Sequence, residues 1–432
     1  MRDGAVGLGE VEWARARELD ASDPLAAARD LFGETPGDSV YLDGNSLGML
    51  PRRSVARLRQ VVEEEWGRGL VGSWDRWIDL PFQVGDRLGQ ALLGADAGEV
   101  VMADSTSVNL YKLAAAALGA RPGRRVLVTD RRNFPTDRYL LEGLVRGRPL
   151  ELRLVEFDEV EGPTAERVRA AVDEDTALLS LSHVDYRSGA IADMAAISAV
   201  AHAAGALTLW DLSHSVGAVP IQLDRSGADL AAGCTYKYVN AGPGAPAFLY
   251  VRRSLQEEIS QPIWGWFGKR QMFAMDEGYR PRDGVGSFLS GTPAVLGLAL
   301  VEEGVLLLEE LGVERIRAKS MALTSYLVEL YDRHLAGLGF ELASPRAADR
   351  RGSQVCLRHV RAQAICRELG ERWGVVADFR APDRLRLGCA APTTSFADLA
   401  LAVERIAQVV ALDEAASGPS PAEGAAGAPE GS

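Results

Sequence analysis

Short apolar runs alternate with helical patterns through the middle of the chain, and this alternation limits the fold more than any other feature. The predicted strands are residues 125–130, 150–157, 176–184 and 206–214, with two more within 228–237 and 244–251. The predicted helices between them are residues 137–145, 165–172 and 194–205. Strands and helices in this order form a mostly parallel sheet covered by helices, so we predict an α/β protein.

The ends of the chain differ from its middle and predict a division into lobes. Residues 1–50 are rich in loops and are predicted to join a smaller domain. Residues 51–295 form the predicted large domain, and residues 296–412 form the predicted small α/β domain. Residues 413–432 consist largely of Ala, Gly, Pro, Ser and acidic residues, a composition that predicts a disordered tail.

The composition excludes several classes of protein. A net charge of −13 is unlike that of a nucleic-acid-binding surface. The four cysteines lack a CxxC pair and there are only five histidines, so we predict no disulfide framework and no metal site. The N-terminus shows no secretory signal, and no apolar stretch reaches the roughly 18 residues that span a bilayer. We therefore predict a cytoplasmic protein that binds neither nucleic acid nor membrane.

Three polar residues, Ser182, Asp211 and His214, lie at the ends of predicted strands, where parallel sheets bind their ligands. Asp211 follows an apolar run and has no Arg or Lys beside it, so its burial requires a cation from elsewhere. The protonated ring nitrogen of pyridoxal 5'-phosphate (PLP) is such a cation, and PLP enzymes use an Asp to hold that proton. The alternative is that Asp211 only caps the following turn.

Lys237 lies in the run CTYKYVNAGPG, after a short apolar strand and before a bend rich in Gly and Pro. A lysine held in this way has a packed stem and an amine that faces a cleft. Burial disfavours the ammonium form, which makes the amine nucleophilic. Lys237 is therefore a candidate attachment point for PLP, and the alternative is an ordinary surface lysine.

Candidate ligands for the cofactor's phosphate lie just before a predicted helix. Ser105, Thr106 and Ser107 precede an apolar helical run, and hydroxyls and free amides at a helix N-terminus bind anions. The alternative for these residues is ordinary helix capping. Phe134, which precedes Pro135 at a strand end, is a candidate to stack on the cofactor ring, with core filling as its alternative.

Seven segments together carry a resemblance to a known family. They are residues 41–51, 104–112, 133–137, 210–220, 234–244, 265–269 and 288–293. In these segments the chain resembles the kynureninases, PLP enzymes of the aspartate-aminotransferase-like fold, over nearly its whole length before the tail. The pair Asp-x-x-His at 211–214 and the run TYKYVNAGPG are the most specific parts. The resemblance implies a large domain with a mostly parallel seven-stranded sheet and a smaller α/β domain.

The resemblance also assigns roles to single residues. Lys237 matches the lysine that holds PLP as a Schiff base, and Asp211 matches the partner of the pyridine nitrogen. His214 lies on the cofactor beside Asp211, and Phe134 matches the aromatic residue that stacks on the ring. The other matched cofactor residues are Thr106, Ser107 and Tyr236 for the phosphate, Thr136, Asp137 and Ser182 in the pocket, and Trp266 and Thr292 across a dimer interface.

For the substrate, Arg386 matches the arginine that binds the α-carboxylate through a bidentate pair, with Arg384 as a competitor for that role. Ser46 is a further predicted substrate-binding residue. Some family members carry Asn in place of Thr292 and a His within 72–77, so the preferred ring substitution stays open. The aromatic residues that are candidates to enclose the substrate ring, or else to pack in the core or an interface, are Trp74, Trp77, Trp264 and Trp266.

The activity that the resemblance implies is hydrolysis of the Cβ–Cγ bond of L-kynurenine or 3-hydroxykynurenine in tryptophan degradation. The products are anthranilate, or its 3-hydroxy form, and L-alanine. Lys237 is then the base that removes the α-proton, and Tyr236 is a candidate acid. PLP supplies the electron sink, so no metal is needed. The resemblance also implies a homodimer with shared active sites, whereas the pathway context (catabolism, NAD synthesis or secondary metabolism) stays open.

Other functions stay open as alternatives. A cysteine desulfurase of the same fold needs a mobile nucleophilic cysteine, whereas Cys356, Cys366 and Cys389 lie in strand-like or helix-like runs. An aminotransferase of the same fold differs in its products. A regulator or binding module that has lost catalysis can dispense with Lys237 or Asp211, and this chain keeps both. A Rossmann dehydrogenase is disfavoured because no GxGxxG motif follows the first strand.

Overall fold

A seven-stranded sheet forms the centre of the computed structural model, which describes residues 7–416 except for positions 36 and 38. In chain order the strands are β1 (Val40–Tyr41), β2 (Val100–Ala103), β3 (Val126–Asp130), β4 (Glu151–Val155), β5 (Thr176–Ser182), β6 (Leu207–Asp211), β7 (Leu230–Gly233), β8 (Ala247–Val251), β9 (Glu341–Leu342), β10 (Gln354–Arg358), β11 (Val375–Val376), β12 (Asp378–Arg380) and β13 (Arg384–Gly388). The central sheet has the order β2-β8-β7-β6-β5-β3-β4. Within it only the pairings of β8 with β2 and β7 are antiparallel, so the predicted mostly parallel seven-stranded sheet is confirmed.

Helices cover both faces of this sheet. In chain order, the α-helices of the described residues, including those that pack elsewhere, are α1 (Glu10–Ala21), α2 (Arg52–Gln60), α3 (Trp74–Trp77), α4 (Leu80–Leu88), α5 (Thr106–Ala120), α6 (Pro135–Val145), α7 (Ala165–Arg169), α8 (Met194–Ala203), α9 (Leu223–Ser226), α10 (Val295–Leu311), α11 (Val313–Leu330), α12 (Ala362–Arg372) and α13 (Phe396–Ala416). Strands buried on both faces explain the almost continuous apolar runs of β5, β6 and β8. In the described part of the chain, no helix is long and apolar enough to cross a membrane.

The register of the parallel strands brings their carboxyl ends to one edge of the sheet. Ser182, the last residue of β5, pairs with Asp211, the last residue of β6, and Asp211 also pairs with Ala232 of β7. The backbone N–H of His183 donates to the carbonyl of Asp211 at 2.9 Å, which extends the pairing past the strand end. The loops after β3, β5, β6 and β7 therefore meet above this edge.

The C-terminal part of the chain contains a second sheet, antiparallel, with the order β12-β13-β10-β9. The N-terminal segment reaches this region, because β1 pairs in parallel with β11 through Val40 and Val375. Asp20 accepts hydrogen bonds from the first backbone N–H groups of α13, those of Phe396 and Ala397. The boundaries at residues 50 and 295 that divide the chain into lobes stay predictions.

The chain ends contain helices that the sequence did not reveal. The segment before residue 51, predicted to be rich in loops, includes the 12-residue helix α1. Ala16 is the buried residue of this otherwise largely polar helix, so its sequence lacks the apolar repeat that reveals amphipathic helices. The predicted tail also begins too early, because α13 continues to Ala416. The rest of the predicted disordered tail, residues 417–432, lies outside the described residues.

Candidate active site

A cavity opens at the carboxyl edge of the central sheet. All predicted cofactor residues except Trp266 and Thr292 line it, and Tyr186 and Ser213 complete its wall. The lining residues are Thr106, Ser107, Phe134, Thr136, Asp137, Ser182, Tyr186, Asp211, Ser213, His214, Tyr236 and Lys237. The fold thus brings together side chains that lie up to 131 positions apart in the sequence, between Thr106 and Lys237.

Asp211 and Asp137 form a buried carboxyl pair in the cavity wall. Asp211 is 8% exposed and accepts a hydrogen bond from the backbone N–H of Ser213 at 2.8 Å. Burial first, and then the charge of Asp211, raise the pKa of Asp137 well above its usual range. Asp137 is therefore the carboxyl group of the pair that holds a proton more readily. Among the described residues, no Arg or Lys forms an ion pair with either carboxyl group.

Lys237 faces the same cavity, and its Nζ atom lies 2.9 Å from Nε2 of His214. Burial, followed by the charge of Lys237, lowers the pKa of His214 well below its usual value, so the imidazole is neutral and Nε2 accepts from the lysine. The Nζ atom lies 6.0 Å from the centre of the Phe134 ring and 5.9 Å from that of Tyr236. Lys237 is therefore directed into the cavity, unlike an ordinary surface lysine.

The backbone around Lys237 is fixed by contacts from distant parts of the chain. The N–H of Gly48 donates to the carbonyl of Tyr236 at 2.8 Å, and the N–H of Asn240 donates to the carbonyl of Lys237 at 2.9 Å. A Cβ atom at Gly48 would overlap the carbonyl oxygen of Lys237, so only glycine allows this approach. The segment 41–51 thus supports the lysine directly.

At the N-terminus of α5, one residue caps the helix and the two that follow it face the cavity. Ser105 is the N-cap, because its Oγ atom accepts from the N–H of Val108 at 3.4 Å. Thr106 and Ser107 occupy the first turn of α5 and line the cavity. Because a helix N-terminus presents free N–H groups and a positive partial charge, this wall of the cavity suits an anion.

Phe134 and Tyr186 form the aromatic wall of the cavity. Their ring centres lie 5.3 Å apart with the planes almost perpendicular, and Phe134 is only half-buried, which argues against a role in core filling. Ser182 donates to the side-chain oxygen of Asn133 at 2.7 Å, which holds the residue before Phe134. Sequence reasoning missed Tyr186, although its position just beyond the β5 end is a usable signal.

Arg386 and Ser46 meet beside this wall. The fully buried guanidinium of Arg386 donates from Nη2 to Oγ of Ser46 at 2.8 Å and from Nη1 to the carbonyl of Tyr186 at 2.9 Å. It also forms an ion pair with Asp378, its cross-strand partner in the β12–β13 hairpin. Arg384, the predicted competitor, instead pairs with Glu159 at 2.9 Å. The role of Arg386 in substrate binding stays a prediction.

The tryptophans lie outside the cavity wall of the single described chain. Trp74 packs edge-on against Trp77, whose Nε1 donates to Glu65 at 3.0 Å. Trp264 is 62% exposed and stacks on Tyr279 with ring centres 4.8 Å apart. Trp266 packs edge-on against Phe267, and Thr292 is exposed. Their predicted roles at a dimer interface are therefore not tested by one chain.

Comparison with solved structures identifies the fold class. A mutant of the enzyme C-DES with glycine covalently linked to its PLP cofactor superposes with a TM-score of 0.77 at 17% identity, over 86% of this chain and 97% of that one. A cysteine desulfurase from Escherichia coli superposes with a TM-score of 0.76 at 18% identity, over 90% and 98%. The chain has the aspartate-aminotransferase-like fold of PLP-dependent enzymes, as predicted.

Comparison with curated proteins identifies the family within this fold class. A kynureninase from Pseudomonas fluorescens is 42% identical over 400 residues, which cover 91% of this chain and 94% of the relative. A family model described as the kynureninase C-terminal domain matches residues 316–406. The chain belongs to the kynureninase family, and the predicted family is confirmed.

Proposed function

We propose that this protein is a PLP-dependent hydrolase that cleaves L-kynurenine, or its 3-hydroxy form, to anthranilate, or 3-hydroxyanthranilate, and L-alanine. The observation that carries the proposal is the position of Lys237 Nζ in a cavity with a buried anionic carboxyl pair and a helix N-terminus. The 42% identity to a kynureninase over 91% of the chain supports the substrate class.

The residues of the cavity suit PLP. Among the described side chains, no Arg or Lys lies within ion-pair distance of the buried Asp137–Asp211 pair, and the nearby charge of Lys237 only partly offsets its burial. A protonated pyridine nitrogen would supply a direct cationic partner. Thr106 and Ser107 would hold the phosphate, Phe134 would stack on the ring, and Lys237 would bond to the aldehyde. When bound, the cofactor withdraws electrons from the α-carbon of the substrate amino acid.

Lys237 and His214 would move the substrate's α-proton. The neutral imidazole accepts a hydrogen bond from Nζ, which holds the amine in one orientation toward the cavity. Nζ takes the proton from the α-carbon and keeps it within the site. Burial raises the pKa of Asp137, so Asp137 holds a proton and Asp211 would bind the ring nitrogen of the cofactor.

Arg386 would bind the α-carboxylate of the substrate, and Tyr236 would act at the group that leaves. Arg386 binds the α-carboxylate through paired N–H donors, with Ser46 beside it. Burial raises the pKa of Tyr236, so its phenol stays protonated and is able to donate a proton to the departing group. The water that completes the hydrolysis adds to the γ-carbonyl.

A homodimer in the cytoplasm is part of the same proposal. Trp74, Trp266 and Thr292 lie outside the cavity wall of one chain, and the family resemblance assigns Trp266 and Thr292 to a second subunit's site. A second copy that contributes these residues would close the site over the substrate ring. The cytoplasmic location rests on the composition alone.

The cysteine desulfurase alternative is less well supported. A desulfurase needs an accessible thiol of low pKa. Burial raises the pKa of Cys366 to about 11 and that of Cys389 to about 12, and it also raises the pKa values of Cys234 and Cys356. The likeness to desulfurases at 17–18% identity concerns the fold alone.

The proposal is tested by steady-state assays with kynurenine and 3-hydroxykynurenine, in which anthranilate fluorescence and alanine release are followed together. We expect equal amounts of the two products. Lys237→Ala is expected to abolish both the reaction and the borohydride trapping of PLP, whereas Lys269→Ala, outside the cavity, keeps the trapping. Alanine release from Lys237→Ala near the wild-type rate, or a stoichiometric demand for a keto acid, would refute the proposal.

A further inference from the structure

Lys112 is a buried lysine for which the proposed reaction has no use. It lies in α5, its side chain is 0% exposed, and its Nζ atom contacts Asp104 Oδ2 at 2.6 Å and the carbonyl of Phe288 at 2.8 Å. Lysine is almost never fully buried unless it is paired, because its charge is costly to remove from water. This cost implies that the pair does more than fill space.

Asp104, the partner, has an unusual backbone. Its φ angle of +41° lies in the left-handed region, which few residues other than Gly, Asn and Asp adopt. Its carbonyl accepts from the N–H of Ala247 at 3.0 Å, and Lys112 holds its side chain. Asn109, also in α5, donates to the carbonyl of Ala103 at 2.8 Å. Two side chains of α5 thus fold back and fix the junction between β2 and α5.

This junction determines the direction in which α5 begins. Ser105 follows Asp104 directly and caps the helix, and Thr106 and Ser107 then face the cavity. A change of φ at residue 104 would turn the first N–H groups of α5 away from it. We propose that the Lys112–Asp104 pair is a positioning device for the phosphate of the cofactor, an inference that rests on the proposed function.

Lys112 also neutralises the carboxylate of Asp104, which favours binding of the phosphate. Without Lys112, Asp104 would be an unpaired carboxylate two residues from Thr106, and it would repel a phosphate dianion. The bond from Lys112 to the Phe288 carbonyl also ties the junction to the segment that carries Thr292. Neither Lys112 nor Asp104 lines the cavity, so the pair acts through the residues between them.

The test compares binding of PLP and of pyridoxal, which lacks the phosphate, to the apoenzyme by absorbance titration. Lys112→Met is expected to weaken PLP binding about tenfold and to change pyridoxal binding less than about twofold. The ³¹P resonance of bound PLP is expected to shift. Lys319→Met is the matched control, because Lys319 is another buried lysine and pairs with Asp23 at 2.6 Å, away from the cavity. That control is expected to lower thermal stability and leave the PLP-to-pyridoxal ratio unchanged.

Asp104→Asn is the second variant in case Lys112→Met does not fold. Asparagine tolerates the left-handed conformation but loses the ion pair with Lys112, so the junction is held less firmly and we expect a selective and smaller loss of PLP affinity. Equal weakening of PLP and pyridoxal, or the same change of ratio in Lys319→Met, would overturn the inference. A wild-type apoenzyme that binds neither compound would instead refute the proposed function.

Discussion

The Nζ atom of Lys237 lies 2.9 Å from Nε2 of His214, a buried imidazole whose pKa is held well below its usual value by burial and by the lysine's charge. The neutral ring accepts from the lysine, and a phenyl ring in its position has no acceptor. His214→Phe is therefore expected to lower kcat about tenfold or more, because the base loses its orientation. Rapid single-turnover kinetics on kynurenine measure this effect. An unchanged kcat with intact PLP binding would show that the contact does not orient the base.

Substitution by asparagine is expected to affect PLP binding and kcat differently at Asp137 and at Asp211. Asp137 is the protonated member of the pair, so Asp137→Asn preserves a hydrogen-bond donor and is expected to keep PLP affinity within about threefold. Asp211→Asn removes the negative charge that a protonated pyridine nitrogen requires, and is expected to reduce kcat at least about a hundredfold. Absorbance titration with PLP and steady-state assays compare the two variants. Equal losses in both would contradict the assignment of the proton to Asp137.

Arg386 and Arg384 are a matched pair of buried arginines two residues apart on β13. Arg386→Lys is expected to raise the KM for kynurenine about tenfold or more, because lysine cannot form the bidentate contact with a carboxylate. Arg384→Lys alters only the ion pair with Glu159, so we expect a lower melting temperature and little change in KM. Steady-state kinetics decide between them. A larger rise of KM in Arg384→Lys would make Arg384 the carboxylate ligand.

The strand pattern predicted the sheet because parallel strands buried on both faces leave a strong apolar signal. The same pattern predicted Asp211 at a strand end. The sequence could not predict that Asp137 shares a proton with Asp211, because that contact depends on how two βα loops meet in space. The helix α1 was missed for a related reason, since a largely polar helix has no apolar repeat of its own.

The contacts that hold the site in place were harder to predict from the sequence than its reactive side chains. Gly48 contacts the backbone at Tyr236, and Gln354 donates to the carbonyl of Tyr186 at 3.1 Å; both contacts join residues more than 160 positions apart. No local pattern encodes such contacts. The contact of Asp378 with Arg386 is more local, because the two residues pair across the β12–β13 hairpin. The family resemblance identified segment 41–51 but did not explain why this segment matters. The contact of Gly48 with the backbone at Tyr236 explains it.

Asp130 at the end of β3 predicts how stability depends on pH. Burial raises its pKa from 3.8 to about 6, so the folded protein binds this proton more tightly than the unfolded chain does. The resulting stabilisation is present at low pH and is lost as the pH rises through about 6. Asp130→Asn removes this dependence and keeps the acceptor for the N–H of Arg132.

For Asp130→Asn we expect the gain in melting temperature over wild type to be a few degrees larger at pH 8 than at pH 4. The corresponding gain in the free energy of unfolding has an upper limit of about 3 kcal/mol. Thermal melts at the two pH values measure the difference, with the exposed Glu174→Gln as the control. A difference of equal size at both pH values would show that the Asp130 carboxyl is not the titrating group.

Trp266 provides a test of shared active sites. In a dimer of Lys237→Ala with Trp266→Ala, one site carries both defects and the other carries neither, provided that Trp266 acts across the interface. If Trp266 instead acts within its own chain, each site carries one defect. We expect each variant alone to be inactive and a co-expressed mixture to recover about a quarter of wild-type activity, because half of its dimers are mixed. Differently tagged subunits allow the mixed dimer to be isolated and assayed for anthranilate. A purified mixed dimer with no activity would place Trp266 outside the partner's site.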